Sequence, residues 1–352
     1  ADDLDVSKSD VAARLYQFLN QLRAGKRANA EGTTVSEQPK NARQFGYDYD
    51  HLSITDVRRI NARVNRYVKE KQAKGQFSHL NQTDKNRLDI FRKEMKLITI
   101  ENEHKADEIA SAIHADAPWM SEATSLIWHA MRRSVREGWP GLRLPPLLVD
   151  GPPGTGKSHW GRLVGKALGT PIEIADATVE NAGFAIAGSQ RGWGSAHPGR
   201  VVETVARTRV ANPLFIIDEV EKAGDVTSNA GGNFSLAHAL LPMLEPLSAA
   251  NWSCPYYQVK FDVSWIMWIM TTNDSRLLPA PLLSRCPPIM VRDLTSEELT
   301  RFLQRQAAHM ALDEAATNAV LDILAFALGK GIRVDLRSAT RMLDLALDLQ
   351  SR

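Results

Sequence analysis

Apolar residues recur at every third or fourth position through the first third of the chain, which is the spacing of one helix face. Three such runs follow Ser7, Ser53 and Thr83, and the first two begin in a capping box. Their apolar positions are Val11, Leu15, Phe18, Leu19 and Leu22; Val57, Ile60, Val64 and Tyr67; and Leu88, Phe91, Met95 and Ile98. Residues 23–46 are polar, as in a linker. The pattern predicts a helical first third that is open to coiled-coil pairing.

The periodicity changes in the middle of the chain, where short and almost wholly apolar runs replace the helical spacing. They lie at 147–149, 171–174, 214–217 and 265–270, with helical segments between them. This alternation is typical of a parallel sheet that is buried on both faces. Beyond residue 292 the spacing is helical again, and Thr295 to Glu298 form a capping box. The expected fold class is α/β, a parallel sheet sandwiched by helices, with a small all-helical unit after it.

Charge and cysteine content limit the kinds of partner and metal site that we expect, but they do not identify a partner. The formal net charge is +2, so a nucleic acid or membrane surface could be recognised only by a local patch. Cys254 and Cys286 are the two cysteines, which argues against a disulfide framework or structural zinc. No secretory leader is evident, and the longest apolar run, 263–270, is too short to span a bilayer. We therefore expect a cytoplasmic protein with no membrane partner.

One glycine-rich segment carries a specific chemical signature. It satisfies G-x-x-x-x-G-K-S and lies between a predicted strand and a predicted helix, as the motif requires. The segment comprises Gly151, Pro152, Pro153, Gly154, Thr155, Gly156, Lys157 and Ser158. Its backbone NH groups can converge on phosphate oxygens, Lys157 can reach the β and γ phosphates, and Ser158 can ligate Mg²⁺. The sequence therefore predicts a site for a nucleoside triphosphate and Mg²⁺.

Two further apolar strands end in polar residues that suit hydrolysis of that nucleotide. The run at 214–217 is followed by Asp218, expected to hold Mg²⁺ partly through water, and by Glu219, expected to activate the attacking water. The run at 265–270 leads to Asn273, a candidate for a hydrogen bond to the γ phosphate or to the lytic water. The alternatives are acids that merely end a buried strand and an asparagine that caps a turn.

These blocks, in this order, resemble the AAA+ superfamily of ATPases, and in detail the ATPase module of the Lon proteases. The resemblance runs from about Ala117 to the C-terminus, and it leaves the helical first third uncovered. It rests on the stretches 191–199, 212–222, 240–246 and 278–285. It implies a large α/β nucleotide-binding domain at 113–291, a small helical lid domain at 292–352 and a separate N-terminal region at 1–112.

The resemblance also assigns roles to residues outside the glycine-rich segment. Arg285 matches the arginine finger, which acts on the nucleotide of a neighbouring subunit in a ring, by resemblance a hexamer. Arg337 matches the arginine that the lid delivers to the γ phosphate, although Arg333 fits the same pattern. Trp193 matches the aromatic residue that grips a polypeptide in the central pore. Each residue has a plainer interpretation as an ordinary surface or packing residue.

Two functions remain open once an ATP hydrolase is granted. In the first, a ring remodels or threads a protein client, with the N-terminal helices recruiting the client or a partner. In the second, the ring is a nucleic-acid motor or loader that uses the basic helix 57–74. That helix carries Arg58, Arg59, Arg63, Arg66, Lys69, Lys71 and Lys74 against one acid, Glu70. A solvated helix face or an acidic protein partner explains the same charges, and a nucleotide-dependent switch is a weaker third interpretation. Because the chain stops after the lid, we expect no peptidase activity.

Overall fold

The computed structural model describes residues 12–19, 54–76, 79–178, 182–191, 196–223, 226–227, 233–234 and 236–350. Contacts within the chain define two units, Ala1–Lys85 and Asn86–Arg352. No helix among the described residues is both long enough and apolar enough to span a bilayer.

The N-terminal unit contains a pair of helices that meet through their apolar faces. Residues 12–19 are helical, and the long helix α1 spans Ile54–Gln76. Ile60 and Val64 of α1 are buried and pack against four residues of the first helix, namely Ala12, Leu15, Tyr16 and Leu19. The predicted capping residues Ser7 and Ser53 lie outside the described residues.

The third predicted helix is shorter than expected. Helix α2 spans Gln82–Leu88, one 3-10 turn follows at Asp89–Arg92, and Lys96 forms an isolated bridge with Val210. The side chain of Asn212 accepts from the Ile98 NH at 2.8 Å and donates to its carbonyl at 2.9 Å. Because these backbone groups are engaged outside any helix, the prediction of a helix through Ile98 is wrong.

The second unit is built on a five-stranded parallel sheet with the strand order β2-β3-β8-β1-β9. Its strands are β1 (Leu147–Asp150), β2 (Ile172–Asp176), β3 (Leu214–Asp218), β8 (Met267–Thr272) and β9 (Pro288–Met290). Two short hairpins pair β4 (Val226–Thr227) with β5 (Asn233–Phe234) and β6 (Trp252–Ser253) with β7 (Lys260–Phe261). The predicted α/β fold with a parallel sheet is confirmed, and β9 is a strand that the apolar pattern did not predict.

Helices cover the sheet and form a three-helix group after it. They are α3 (Glu103–Asp116), α4 (Ser121–Arg136), α5 (Lys157–Leu168), α6 (Ala182–Ala187), α7 (Arg200–Thr208), α8 (Leu236–Leu244), α9 (Pro246–Ala249), α10 (Ala280–Arg285), α11 (Ser296–His309), α12 (Glu314–Gly329) and α13 (Leu336–Gln350). One large core joins α3, α4 and α5 to the sheet, and it includes the fully buried Trp160 of α5. Because Ile109 and Ile113 of α3 belong to this core, the expected border at residue 112 falls inside a helix that packs on the sheet.

The last three helices have a core of their own. Helix α11 begins with the predicted capping box, in which Thr295 and Glu298 each accept from the other's backbone NH. Leu303, Leu324 and Leu343, one from each helix, are buried together. This three-helix group corresponds to the lid that the resemblance implies, although the domain boundaries stay a prediction.

Asn212 is a buried polar residue at the edge of the large core around the sheet. It is fully buried, and besides Ile98 it donates to the Leu142 carbonyl at 2.9 Å. We expect Asn212→Ala to lower the free energy of unfolding by about 3 kcal/mol, because buried backbone groups lose their partners. Denaturant titration measures this change. Asn318→Ala, at an exposed position of α12, is the matched control and should change stability by less than about 0.5 kcal/mol. Equal effects of the two substitutions would contradict the assignment.

Candidate functional site

The glycine-rich segment forms a loop between the carboxyl end of β1 and the first turn of α5. Gly154 and Gly156 adopt left-handed backbone angles, with φ of 84° and 80°, which side-chain-bearing residues rarely adopt. Helix α5 begins at Lys157, so its unpaired NH groups and partial positive charge face the loop. This is the geometry that binds phosphate groups at a helix N-terminus.

Lys157 lies buried at the base of the loop. Its ammonium donates to the carbonyls of Gly151 at 2.6 Å and Pro152 at 2.9 Å, and to Oδ1 of Asn273 at 3.1 Å. Burial lowers the pKa of Lys157, while the nearby carboxylates, Glu221 foremost, act in the opposite direction. The ammonium is thus hydrogen-bonded to three neutral oxygens, and nearby acids act on it through their charge.

Ser158 and Asp218 form the part of the site that suits a metal ion. The Ser158 hydroxyl donates to Oδ1 of Asp218 at 2.5 Å, and the Thr271 hydroxyl donates to the same oxygen at 2.8 Å. Hydroxyl and carboxylate oxygens are the ligands that Mg²⁺ prefers, and Mg²⁺ usually takes few protein ligands beside phosphates and water. In the described residues no group of three or more His, Cys, Asp or Glu side chains could hold a metal unaided. The residues present therefore fit a magnesium ion bound together with a nucleotide.

Glu219 follows β3 in a strained conformation. Its φ of 55° lies in the left-handed region, an arrangement that costs on the order of 1 kcal/mol and clusters at functional sites. Its backbone NH donates to the Thr271 hydroxyl at 3.2 Å, which fixes the turn against β8. Lys222 donates to Oε2 of the carboxylate at 2.7 Å, and this bond lowers the pKa of Glu219.

Asn273 connects the lysine to the acids. Its Oδ1 faces Lys157, and its Nδ2 donates to Glu219 at 3.3 Å and to Glu221 at 3.0 Å. Its backbone NH donates to the same oxygen of Glu221 at 3.0 Å. The structure therefore brings Lys157, Ser158, Asp218, Glu219 and Asn273 together at the carboxyl ends of adjacent parallel strands, where ligands bind in such sheets. Glu221 and Thr271 are members that sequence reasoning missed.

The lid contacts the loop directly. The Leu336 NH donates to the Gly154 carbonyl at 3.0 Å, and Arg333 donates to the Pro153 carbonyl at 3.3 Å while it pairs with Asp293. Asp335 lies against Gly154 so closely that a Cβ atom at that glycine would collide with its carboxylate. Of the two candidate lid arginines, Arg333 thus contacts the loop, whereas Arg337 is exposed. Either assignment to the γ phosphate stays a prediction.

Trp119 forms a second connection between loop and lid, and sequence reasoning missed it. Its indole NH donates to the Thr155 carbonyl at 2.9 Å, and its ring meets Phe302 of α11 edge to face at 6.4 Å. Nearby, Arg305 of α11 pairs with Asp116 at 2.6 Å. The segment before α4 therefore joins the loop to α11.

The remaining predicted residues lie apart from this cluster. Arg285, at the end of α10, bonds to Glu245 and to the Pro281 carbonyl, each at 3.3 Å. Trp193 lies outside the described residues, as do the glycines beside it. Their expected roles, the arginine finger and the pore residue, stay predictions.

Comparison with known proteins relates the region around the loop to one family of ATPases. Residues 147–294 match the family described as "ATPase family associated with various cellular activities (AAA)". These residues are thus similar to the AAA domains of that family. The match covers the loop, the strand ends that carry Asp218 and Asn273, and helix α10, which ends in Arg285. The similarity supports ATP binding and ATP hydrolysis as the activity of this domain.

Lon proteases are among the relatives of the chain. It is 35% identical over 181 residues to the peroxisomal Lon protease homolog 2 of Pongo abelii, covering 51% of this chain and 20% of that protein. It is 30% identical over 200 residues to the Lon protease of Desulfovibrio desulfuricans, covering 53% of this chain and 22% of that protein. It is 29% identical over 241 residues to the Lon protease of Nitrosococcus oceani, covering 68% of this chain and 28% of that protein. The chain thus spans 20% to 28% of the length of these relatives, and the AAA+ module resembles theirs.

Proposed function

We propose that this chain is an ATP-driven AAA+ motor that remodels or threads a protein client as a ring of subunits. One hydrogen-bonded cluster carries the proposal, because Lys157, Asp218, Glu219 and Asn273 meet at a loop built to bind phosphates. The preference for a protein client rests on the similarity of the module to Lon proteases. A cytoplasmic location is also part of the proposal.

Each residue of the cluster would have a separate role in hydrolysis. A bound Mg²⁺ would supply a Lewis acid for the phosphate oxygens, and Ser158 and Asp218 would hold it, partly through water. Lys157 would leave its carbonyl partners for the β and γ phosphates. Glu219 would take a proton from the attacking water, and Asn273 would orient that water or the γ phosphate.

Two substitutions separate nucleotide binding from hydrolysis. Lys157→Ala should lower MgATP affinity at least tenfold, because the buried cation that faces the phosphates is lost. Glu219→Gln should keep the affinity but lower kcat by about 10²-fold or more, because the base is gone. Binding is measured with a fluorescent ATP analogue and turnover by phosphate release, with an unfolded protein, DNA or RNA added in turn. Stimulation by the unfolded protein is the result that we expect.

The outcomes of this experiment distinguish the proposal from its alternative. Turnover by Lys157→Ala equal to that of the parent would refute the ATP site. Stimulation by nucleic acid alone, lost when Arg58, Arg59, Arg63 and Arg66 are changed to Gln, would favour the nucleic-acid motor. These four arginines are exposed on α1, which is the observation behind that alternative, and the side chains of Lys69, Lys71 and Lys74 lie outside the described residues.

Arg285 provides a test of the ring. If it acts on the nucleotide of a neighbouring subunit, Arg285→Ala should be at least about 10³-fold slower, since arginine fingers contribute on that scale. Lys157→Ala should also be inactive but should retain its own Arg285. Mixing the two variants should then restore ATP turnover, because some interfaces combine an intact loop with an intact arginine. A mixture that is no faster than its components would contradict action in trans.

The ion pair of Glu219 with Lys222 predicts a pH dependence. Since Lys222 lowers the pKa of Glu219, Lys222→Met should raise it. The base must be ionised to accept a proton, so activity is lost as pH falls through this pKa. The acid limb of the kcat profile of Lys222→Met should therefore lie at higher pH than that of the parent. Lys260→Met, at an exposed lysine of β7, is the control, and an identical shift there would contradict the assignment.

A further inference from the structure

Glu221 is the acid of the cluster that no role yet explains. It lies in the 3-10 turn Val220–Lys222 directly after Glu219, and its Oε1 accepts two hydrogen bonds from Asn273, both at 3.0 Å. One bond comes from the backbone NH and the other from Nδ2. This two-point contact holds both the main chain and the side chain of Asn273 at the tip of β8.

The contact decides which end of the amide faces the nucleotide loop. The two hydrogens of Nδ2 are used by Glu221 and Glu219, so the carbonyl end of the amide faces Lys157 at 3.1 Å. Without Glu221, the amide could rotate about its last torsion, which has a broad and nearly two-fold preference. The Oδ1 and Nδ2 atoms of Asn273 would then exchange places, so a donor would face Lys157 and its phosphate where an acceptor does now.

The second oxygen of Glu221 is in an unfavourable environment. Its Oε2 is buried, and within the described residues no donor reaches it. A buried carboxylate oxygen without a partner is unfavourable by itself. The acid also lies close enough to contribute the largest charge effect on Lys157. Because this burial is unfavourable, we look for the role of Glu221 in its contacts with the site.

We propose that Glu221 is a positioning residue that fixes the amide of Asn273 for ATP hydrolysis. The inference rests on the proposed function, since it assigns a role within the same site. Glu221 acts through Asn273 and does not itself touch the nucleotide. Its removal should therefore change kcat, while the affinity for MgATP stays within about threefold of the parent.

A double-mutant cycle tests this dependence. Asn273→Ala should lower kcat by about 10²-fold, as loss of one oriented polar group does. Glu221→Ala should lower kcat by about tenfold or more, because a misplaced group loses most of its effect. The double variant should be no slower than Asn273→Ala within about twofold, since Glu221 has nothing left to position. A drop of about 10³-fold in the double variant would show independent action and overturn the inference.

The conservative variant Glu221→Gln separates hydrogen bonding from charge. The glutamine keeps an acceptor oxygen for Asn273, and its NH₂ group replaces an oxygen that accepts no hydrogen bond within the described residues. It should retain kcat within about threefold, and because it is nearly isosteric it also guards against a folding defect in the alanine variant. A glutamine variant as slow as Glu221→Ala would overturn the inference in favour of a charge effect on Lys157.

Two further measurements distinguish a failure of this inference from a failure of the proposed function. Glu101→Ala removes an exposed acid and should leave kcat unchanged. If the parent chain turned over ATP no faster than Lys157→Ala, the proposed function and the inference would both fall. If the parent were active and Glu221→Ala matched it in kcat, the inference alone would be wrong.

Discussion

The burial of the Lys157 ammonium is the constraint on which the rest of the site depends. A buried cation is unfavourable unless oxygens surround it, and here two loop carbonyls and the Asn273 amide do so. The carbonyls are available only because the loop turns back on itself through left-handed glycines. The acids beyond Asn273 oppose the lowering of the Lys157 pKa by burial. A phosphate that enters this loop therefore replaces partners that are already oriented, and little reorganisation is required.

The same loop is also where the lid is attached. The close approach of Asp335 to Gly154 leaves no room for a Cβ atom, so the glycine is required by packing as well as by its φ. The Leu336 NH and the Trp119 indole both donate to loop carbonyls, one from the lid and one from the segment before α4. A ligand that shifts the loop backbone must shift these donors too. Nucleotide state can thereby reach the three-helix lid core without any intermediate element.

Sequence reasoning located the strand ends and missed what joins them. Lys157, Asp218, Glu219 and Asn273 were predictable because a specific motif and apolar runs mark the carboxyl edge of a parallel sheet. Glu221 and Asp335 were not, because their contacts depend on tertiary packing and follow no local pattern. Strand β9 was missed because Pro288 interrupts the apolar run. A proline is tolerated there since β9, beside β1, is the edge strand of the sheet in the described part of the chain.

In the proposed ring, the ion pairs of Glu219 and Arg285 would make hydrolysis depend on a neighbouring subunit. Glu219 lies in a strained turn, and its carboxylate accepts hydrogen bonds from Lys222 and Asn273. Arg285 is engaged by Glu245. In the proposed ring, a neighbour that draws Arg285 away from Glu245 would supply the missing positive charge at the γ phosphate. Hydrolysis would then require two exchanges of partner, one in each subunit, which couples the chemistry to the contact between subunits.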